Sequence, residues 1–220
     1  VLRARLSDAM FFWQEDQKSS LDSRLEPLKK VVYQAKLGTS YEKIERFQIL
    51  ATELAEQFNP EIKGLVERAA LLAKCDLETG MVYEFPELQG VMGREYALIE
   101  GEDPRVATAI FEHYLPTQAG GELPSDDVGT FVSLADKIDT LCGCFSVGLI
   151  PTGTADPYAL RRAAIGILSI ILERNYAISI PELVKRSVSL LGTKASRPLE
   201  EIAADVVEFI DDMKAAYEWA

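Results

Sequence analysis

The chain has 220 residues, 48% hydrophobic and 26% charged, enough apolar content to bury one core or two and too much for a disordered polymer. Its formal net charge of −12 excludes a free-standing, non-specific nucleic-acid binder, because phosphate contacts need a basic surface. No apolar run reaches the ~18 residues that a membrane span requires, and no basic start precedes an apolar stretch and a cleavage site; a cytoplasmic protein without a membrane partner is expected.

The chain opens on Val-Leu-Arg within an apparent helix, the pattern expected of a fragment cut from a longer protein. Leu2, Leu6, Met10 and Trp13 share one helical face, and Leu21, Leu25, Leu28 and Val32 a second; Val31-Val32-Tyr33 is alternatively a short strand. Ile44, Phe47, Leu50 and Leu54 describe a helix that runs to Phe58 and stops at Asn59-Pro60. Ile62, Val66, Ala69, Ala70 and Ala73 continue in another, ending near Leu77. Residues 86–98 read as one helix despite Gly90 and Gly93, whose presence close packing would explain. A helix over 104–115 follows Asp103-Pro104, then a Gly/Pro/Ser-rich loop to about 125. A long helix over 128–145 turns Phe131, Leu134, Ala135, Ile138 and Leu141 inward, and a last one over 199–219 repeats Ile202, Val206, Phe209 and Met213. Pro181 and Pro198 are further helix starts, and 179–197 is the expected hinge. Strand signals are sparse, so the expected fold class is all-α.

The run from Pro151 to Arg162 is the most informative segment. Asp156 can accept from first-turn amides, and Pro157 suits the first helical position. Leu160, Ala164, Ile167 and Ile171 then form a buried face. Arg161 shares a stripe with Ile165 and Leu168; Arg162 shares one with Gly166, Ser169 and Glu173, expected to be wetter, which makes Arg162 the freer arginine. The ordinary alternative is that both arginines pair with neighbouring loops. Residues 155–190 carry five basic and three acidic residues, so the acidity lies elsewhere.

Phosphate-cradling loops, nucleophile elbows and HExxH are absent, and His113 is the single histidine. Cys75, Cys142 and Cys144 with His113 would make a Cys₃His zinc site on paper. The Cys142-Gly143-Cys144 spacing is too tight and the surroundings are apolar, so the cysteines read as small hydrophobes and no metal site is expected. No residue is expected to be catalytic.

Three segments resemble the HD superfamily of metal-dependent phosphohydrolases, whose fold is a multi-helix domain presenting an early His, a His-Asp pair and a late Asp to metal. Lys43, in Lys43-Ile44-Glu45-Arg46, stands where the first His would be, and Cys75 replaces the His beside Asp76. Ala135-Asp136-Lys137-Ile138-Asp139 resembles the late motif. An ammonium cannot coordinate a cation, so the site reads as degenerate, its Asp76 and Asp136 carboxylates neutralised by Lys43. Taken alone, aspartates such as Asp76 and Asp136 are more often helix-end caps or ion-pair partners than site residues.

The same segments, in order with Val1-Leu2-Arg3-Ala4-Arg5-Leu6-Ser7-Asp8-Ala9, Lys36-Leu37-Gly38-Thr39, Glu84-Phe85-Pro86-Glu87-Leu88-Gln89-Gly90-Val91-Met92-Gly93, Glu112-His113-Tyr114-Leu115-Pro116 and the Pro-Thr-Gly run, resemble the β subunit of the bacterial heterotetrameric glycyl-tRNA synthetase. They cover the middle-to-late third of such a subunit. Pro27, Cys142 and Cys144 depart from the pattern.

The resemblance implies an N-terminal helical segment (1–38), an HD-like core (39–178) and a helical extension towards an anticodon-binding domain (179–220). It implies an α subunit that activates glycine with ATP and Mg, an α2β2 assembly with β-subunit contacts, and tRNA(Gly) as partner, with no cofactor in this chain. The chain would be a non-catalytic module supporting tRNA during charging, through Arg161 and Arg162 first and Lys74, Arg94 and Lys137 next. Against this stand ion pairing of Lys74 with Asp136 or of Lys137 with Asp76, a purely structural docking module, and a residual phosphohydrolase.

Overall fold

The computed structural model describes residues 2–152 and 156–218 and is all-α apart from one hairpin. In chain order the elements are α1 (Leu2–Asp16), α2 (Leu25–Leu28), β1 (Val32–Gln34), β2 (Gly38–Thr39), α3 (Ser40–Phe58), α4 (Lys63–Leu72) and α5 (Gly80–Glu84). They continue with α6 (Val91–Ile99), α7 (Pro104–Glu112), α8 (Asp127–Ser146), α9 (Leu160–Arg174), α10 (Ile180–Leu191) and α11 (Leu199–Glu218). The strands are antiparallel, Val32 opposite Thr39 and Gln34 opposite Gly38.

The molecule is built around α8. From Val128 to Ser146 every residue but Thr140 is buried, the signature of a helix surrounded on all sides. Helices α3, α4, α7, α9, α10 and α11 all pack against it. Asp126 starts it by accepting from the Val128 and Gly129 amides, and Arg105 on α7 pairs with the same carboxylate at 2.7 Å. Helix α3 begins with a reciprocal cap: Thr39 Oγ1 accepts from the Glu42 amide, and the Glu42 carboxylate accepts from the Thr39 amide at 2.7 Å. It ends at Phe58, before Asn59-Pro60, as its sequence predicts.

Several local expectations are corrected by tertiary contacts. On α1, Leu6 and Met10 are more than half exposed, while Ala9, Phe12 and Trp13 face the core; the side chain of Leu2 lies outside the described residues. The helix is rotated because the buried Asp16 accepts from the Gly80 and Met81 amides and the Tyr96 hydroxyl, and Trp13 stacks on Tyr96. Leu21 and Leu28 are buried but Val32 is exposed, since Pro27 limits α2 to one turn and Val32 enters the hairpin. Residues 86–98 are not one helix: Gly90 has φ of +78°, which separates a 3₁₀ turn at Pro86–Leu88 from α6. The stretch 179–197 is no hinge, because α10 buries Leu183, Val184, Ser187, Val188 and Leu191 against its neighbours.

Gly93 is required by proximity, since a Cβ there would sit 2.6 Å from Ile110 Cγ2 and 3.1 Å from Asp76 Oδ2. Gly64, near the start of α4, has open space around it. Gly64→Ala is therefore expected to stabilise the chain by about 0.5 kcal/mol, and Gly93→Ala to destabilise it by roughly 1–3 kcal/mol through overpacking; urea unfolding of the two variants checks the opposite signs.

Candidate functional site

Lys43 and Arg46 lie one turn apart on α3, as do Asp136 and Asp139 on α8, so two basic groups face two acidic ones across the helix pair. Lys43 Nζ is 2.8 Å from Asp136 Oδ1 and 3.1 Å from Asp139 Oδ2. Arg46 grips Asp139 with two bonds of 2.7 and 3.1 Å. The Tyr33 ring of the hairpin lies 4.8 Å from the Lys43 ammonium. All four charged side chains are buried.

The second oxygen of Asp136 takes another ammonium, Lys74 Nζ, at 3.0 Å. Lys74 lies on the turn that follows α4, where it also donates to His113 Nε2 at 2.7 Å and lies 4.2 Å from the centre of the Tyr114 ring. The His113 Nδ1 atom donates to the Ile110 carbonyl, so Nε2 carries the lone pair and the ring is neutral. Burial and the adjacent Lys74 push the His113 pKa well below its ordinary value. Burial would raise Asp136, but Lys43 and Lys74 outweigh it and hold the carboxyl well below the usual range. Burial likewise opposes the charge on Lys43, and Asp136, Tyr33 and Asp139 reverse the effect and raise its pKa. Burial lowers Lys74, with Asp136 opposing.

Lys137, the next residue on α8, points the other way. Its ammonium donates to the Leu115 carbonyl at 2.9 Å, the His113 carbonyl at 3.2 Å and Ser133 Oγ at 2.8 Å, and burial lowers its pKa to about 7. It does not pair with Asp76. That aspartate instead accepts from the Gly90 and Gly93 amides at 2.6 and 3.2 Å, anchoring the start of α6, and burial raises its pKa.

The site expected from sequence is thus rearranged. Asp76 and Asp136 do not form a carboxylate pair neutralised by Lys43; Lys43 spans Asp136 and Asp139, and Lys74 rather than Cys75 reaches Asp136. The Cys75 thiol contacts the Leu71 carbonyl instead. Cys142 and Cys144 are buried free thiols with pKa values pushed up by burial to about 12 and about 11. Among the described residues no three His, Cys, Asp or Glu side chains cluster as a metal site would. The donor set does not fit a divalent cation, because Asp136 and Asp139 are held by Lys43, Lys74 and Arg46, which have no lone pair to offer, and Asp76 Oδ2 is held by backbone amides, leaving only Asp76 Oδ1 unpartnered.

Beside this network opens a cleft of about 640 Å³, lined by Tyr114, Asp136, Lys137, Thr140, Tyr158 and Arg162 among others. Helix α9 begins three residues later than Asp156-Pro157 suggests: Pro157 and Tyr158 turn, Ala159 adopts φ of 55°, and the Asp156 carboxylate reaches forward to the Leu160 and Arg161 amides. Residues 153–155 of the Pro-Thr-Gly run lie outside the described residues. Arg162 is exposed and Arg161 half-buried. The Arg162 stripe is not wetter, since Gly166 and Ser169 are buried; a Cβ on Gly166 would lie 2.9 Å from Lys137 Cε, so Arg162 stands one turn before that close approach of α9 to α8. Arg94 lies 5.1 Å from the Phe111 ring and pairs with Glu95. Lys74 and Lys137 are buried inside the network. Arg46, Asp139, His113 and Tyr114 were not anticipated as members; the matched one-turn spacing of Lys43/Arg46 and Asp136/Asp139 is the signal that would have found the first two.

Asp136→Asn should cost about 3–5 kcal/mol, because it leaves two ammonium groups buried against a neutral amide, as read from chemical unfolding at pH 7. Lys137 has a lower pKa folded than unfolded, so the unfolded state binds more protons between about pH 7 and pH 10 and stability rises with pH there. Lys137→Met should flatten that rise by up to about 1.4 kcal/mol per pH unit, measurable as the difference in slope between the two proteins.

The family described as "Glycyl-tRNA synthetase beta subunit" matches residues 1–217. A protein of Syntrophotalea carbinolica named "Glycine--tRNA ligase beta subunit" is 74% identical over 96% of this chain and 30% of its own length. Proteins of the same name from Geobacter sp. (strain M21) and Geobacter metallireducens are 66% and 65% identical over 95% of the chain, again 30% of their own lengths. The chain therefore spans under a third of the relatives it matches. With agreement this extensive along its own length, it belongs to the glycyl-tRNA synthetase β-subunit family.

Proposed function

We propose that this chain is a non-catalytic helical module of a glycine--tRNA ligase β subunit, and that it supports tRNA(Gly) while glycine is charged onto it at the expense of ATP. Glycine activation, with ATP and Mg, belongs in this scheme to an α subunit joined to the β subunit in an α2β2 cytoplasmic enzyme. In this reading 39–178 correspond to the HD-like part, preceded by the N-terminal helical segment 1–38 and followed by the helical extension 179–220, whose α10 packs into the same core. The names of the relatives support the assignment to the ligase. The observation that carries the tRNA role is the exposed Arg162 lining the same cleft as Tyr158, which is 46% exposed. A guanidinium and an aromatic ring in one cleft suit a phosphate and a stacked base. Lys137 and Lys74, buried in the network beneath, and Arg161 and Arg94 are the further residues assigned to tRNA support in this reading.

In the two-subunit enzyme, Arg162→Ala should raise the KM for tRNA about tenfold, equivalent to about 1.4 kcal/mol, with kcat within twofold. Adding Arg161→Ala should lower the salt slope of tRNA binding further, by about one for each phosphate no longer neutralised. Unchanged charging kinetics in both variants would remove these arginines from tRNA recognition.

A further inference from the structure

Helix α1 carries apolar residues that the fold leaves uncovered. Leu6, Met10 and Phe11 are 58%, 56% and 58% exposed, three large side chains within two turns of one helix. They are turned outward because Asp16 and Trp13 fix the C-terminal end of α1 on Gly80, Met81 and Tyr96, while Ala9, Phe12 and Trp13 face the core. At 100° per residue, Ser7 and Gln14 fall between Met10 and Phe11, and the carboxylates Asp8 and Glu15 fall to the side. The outward face is therefore apolar with small or uncharged polar residues between, and Arg3 at its start. That is the composition of an interface core, in which Met, aromatic residues and Arg are enriched and acidic residues depleted. With apolar residues on both the packed and the outward sides, α1 has the pattern of a helix covered on more than one side. Tyr83, on the neighbouring α5, is 85% exposed as well.

We propose that the outward face of α1 is covered, within a single polypeptide, by the part of the same β subunit that leads into Val1. The relatives have the chain to supply such a cover, since 70% of their length lies outside the matched part. A segment joined directly to α1 meets this face at an effective concentration in the millimolar range, so a small apolar contact is enough. A separate subunit or a second copy of this chain would need about 800 Å² on each side, more than Leu6, Met10 and Phe11 supply. Chain that follows α11 leaves from a helix packed on α8, α9 and α10, whereas α1 rests on α5. Polynucleotide is a poor occupant, because Leu6 and Met10 offer neither charge for a phosphate nor a ring for a base. The tRNA role of the cleft is not needed for any of this.

The test uses the full-length β subunit with Leu6→Cys, Met10→Cys or Glu61→Cys, mild surface changes whose folding circular dichroism checks. Maleimide labelling, followed peptide by peptide by mass spectrometry, is expected to be at least tenfold slower at positions 6 and 10 than at 61, an exposed position outside α1. A diazirine-bearing residue at position 10, in a mixture of ¹⁵N-labelled and unlabelled subunits, should give one dominant cross-link, within one copy, to a residue preceding Val1. Adding the α subunit and tRNA should leave that product dominant. Labelling at 6 and 10 less than tenfold slower than at 61 would overturn the proposal. So would the absence of a cross-link, or one to another copy, to residues after Ala220, to the α subunit or to tRNA.

Discussion

Asp136 is held between two ammonium groups, Lys43 at one oxygen and Lys74 at the other, and the arrangement of the surrounding helices depends on it. Burying three such charges costs several kcal/mol per ion, and mutual attraction in a low-dielectric interior only offsets that cost when geometry is good and other partners are present. Those partners are here: Asp139, Thr140 and the Tyr33 ring for Lys43, and His113 and the Tyr114 ring for Lys74. The net gain in stability over an apolar packing is small on general grounds, but the penalty for displacing any one member is large. The network therefore acts as a register, fixing α3, the bend before Asp76 and the end of α7 relative to α8.

The same chemistry defines what the site can do. A divalent ion needs lone pairs around an open position, whereas Lys43 and Lys74 supply positive charge on tethered side chains and occupy the carboxylate oxygens they meet. Positive charge is kept and Lewis acidity is not available from these residues. Beside this centre the exposed Arg162 lines the cleft, within a chain whose overall charge is −12.

Periodicity made most of the helices legible. The α3 stripe ending at Asn59-Pro60, the long α8 and the final α11 follow from apolar spacing and local caps, interactions that reach only a few residues. Lys43, Asp76 and Asp136 were marked as belonging to one functional region for the same reason: they lie in recognisable motifs. Their partners were not legible, because a motif shows which residues lie near one another in the chain and not which side chain of a helix turns inward. Lys74 and Cys75 are neighbours in sequence, and only the path of the bend after α4 places the ammonium, and not the thiol, against Asp136.

What the sequence alone determined was the all-α class, the boundaries of the long helices, the family, and the loss of the histidines a metal would need, since each rests on residue identity or short-range spacing. Tertiary structure decided the inward face of α1, the start of α9, the placing of α10 in the core and the pairing within the buried network. Each of these depends on contacts between residues far apart in the chain: Asp16 with the start of α5 and Tyr96, Gly166 with Lys137, and Asp136 with lysines 93 and 62 positions away. Such contacts form only when whole helices are brought together, and local propensity carries no record of them.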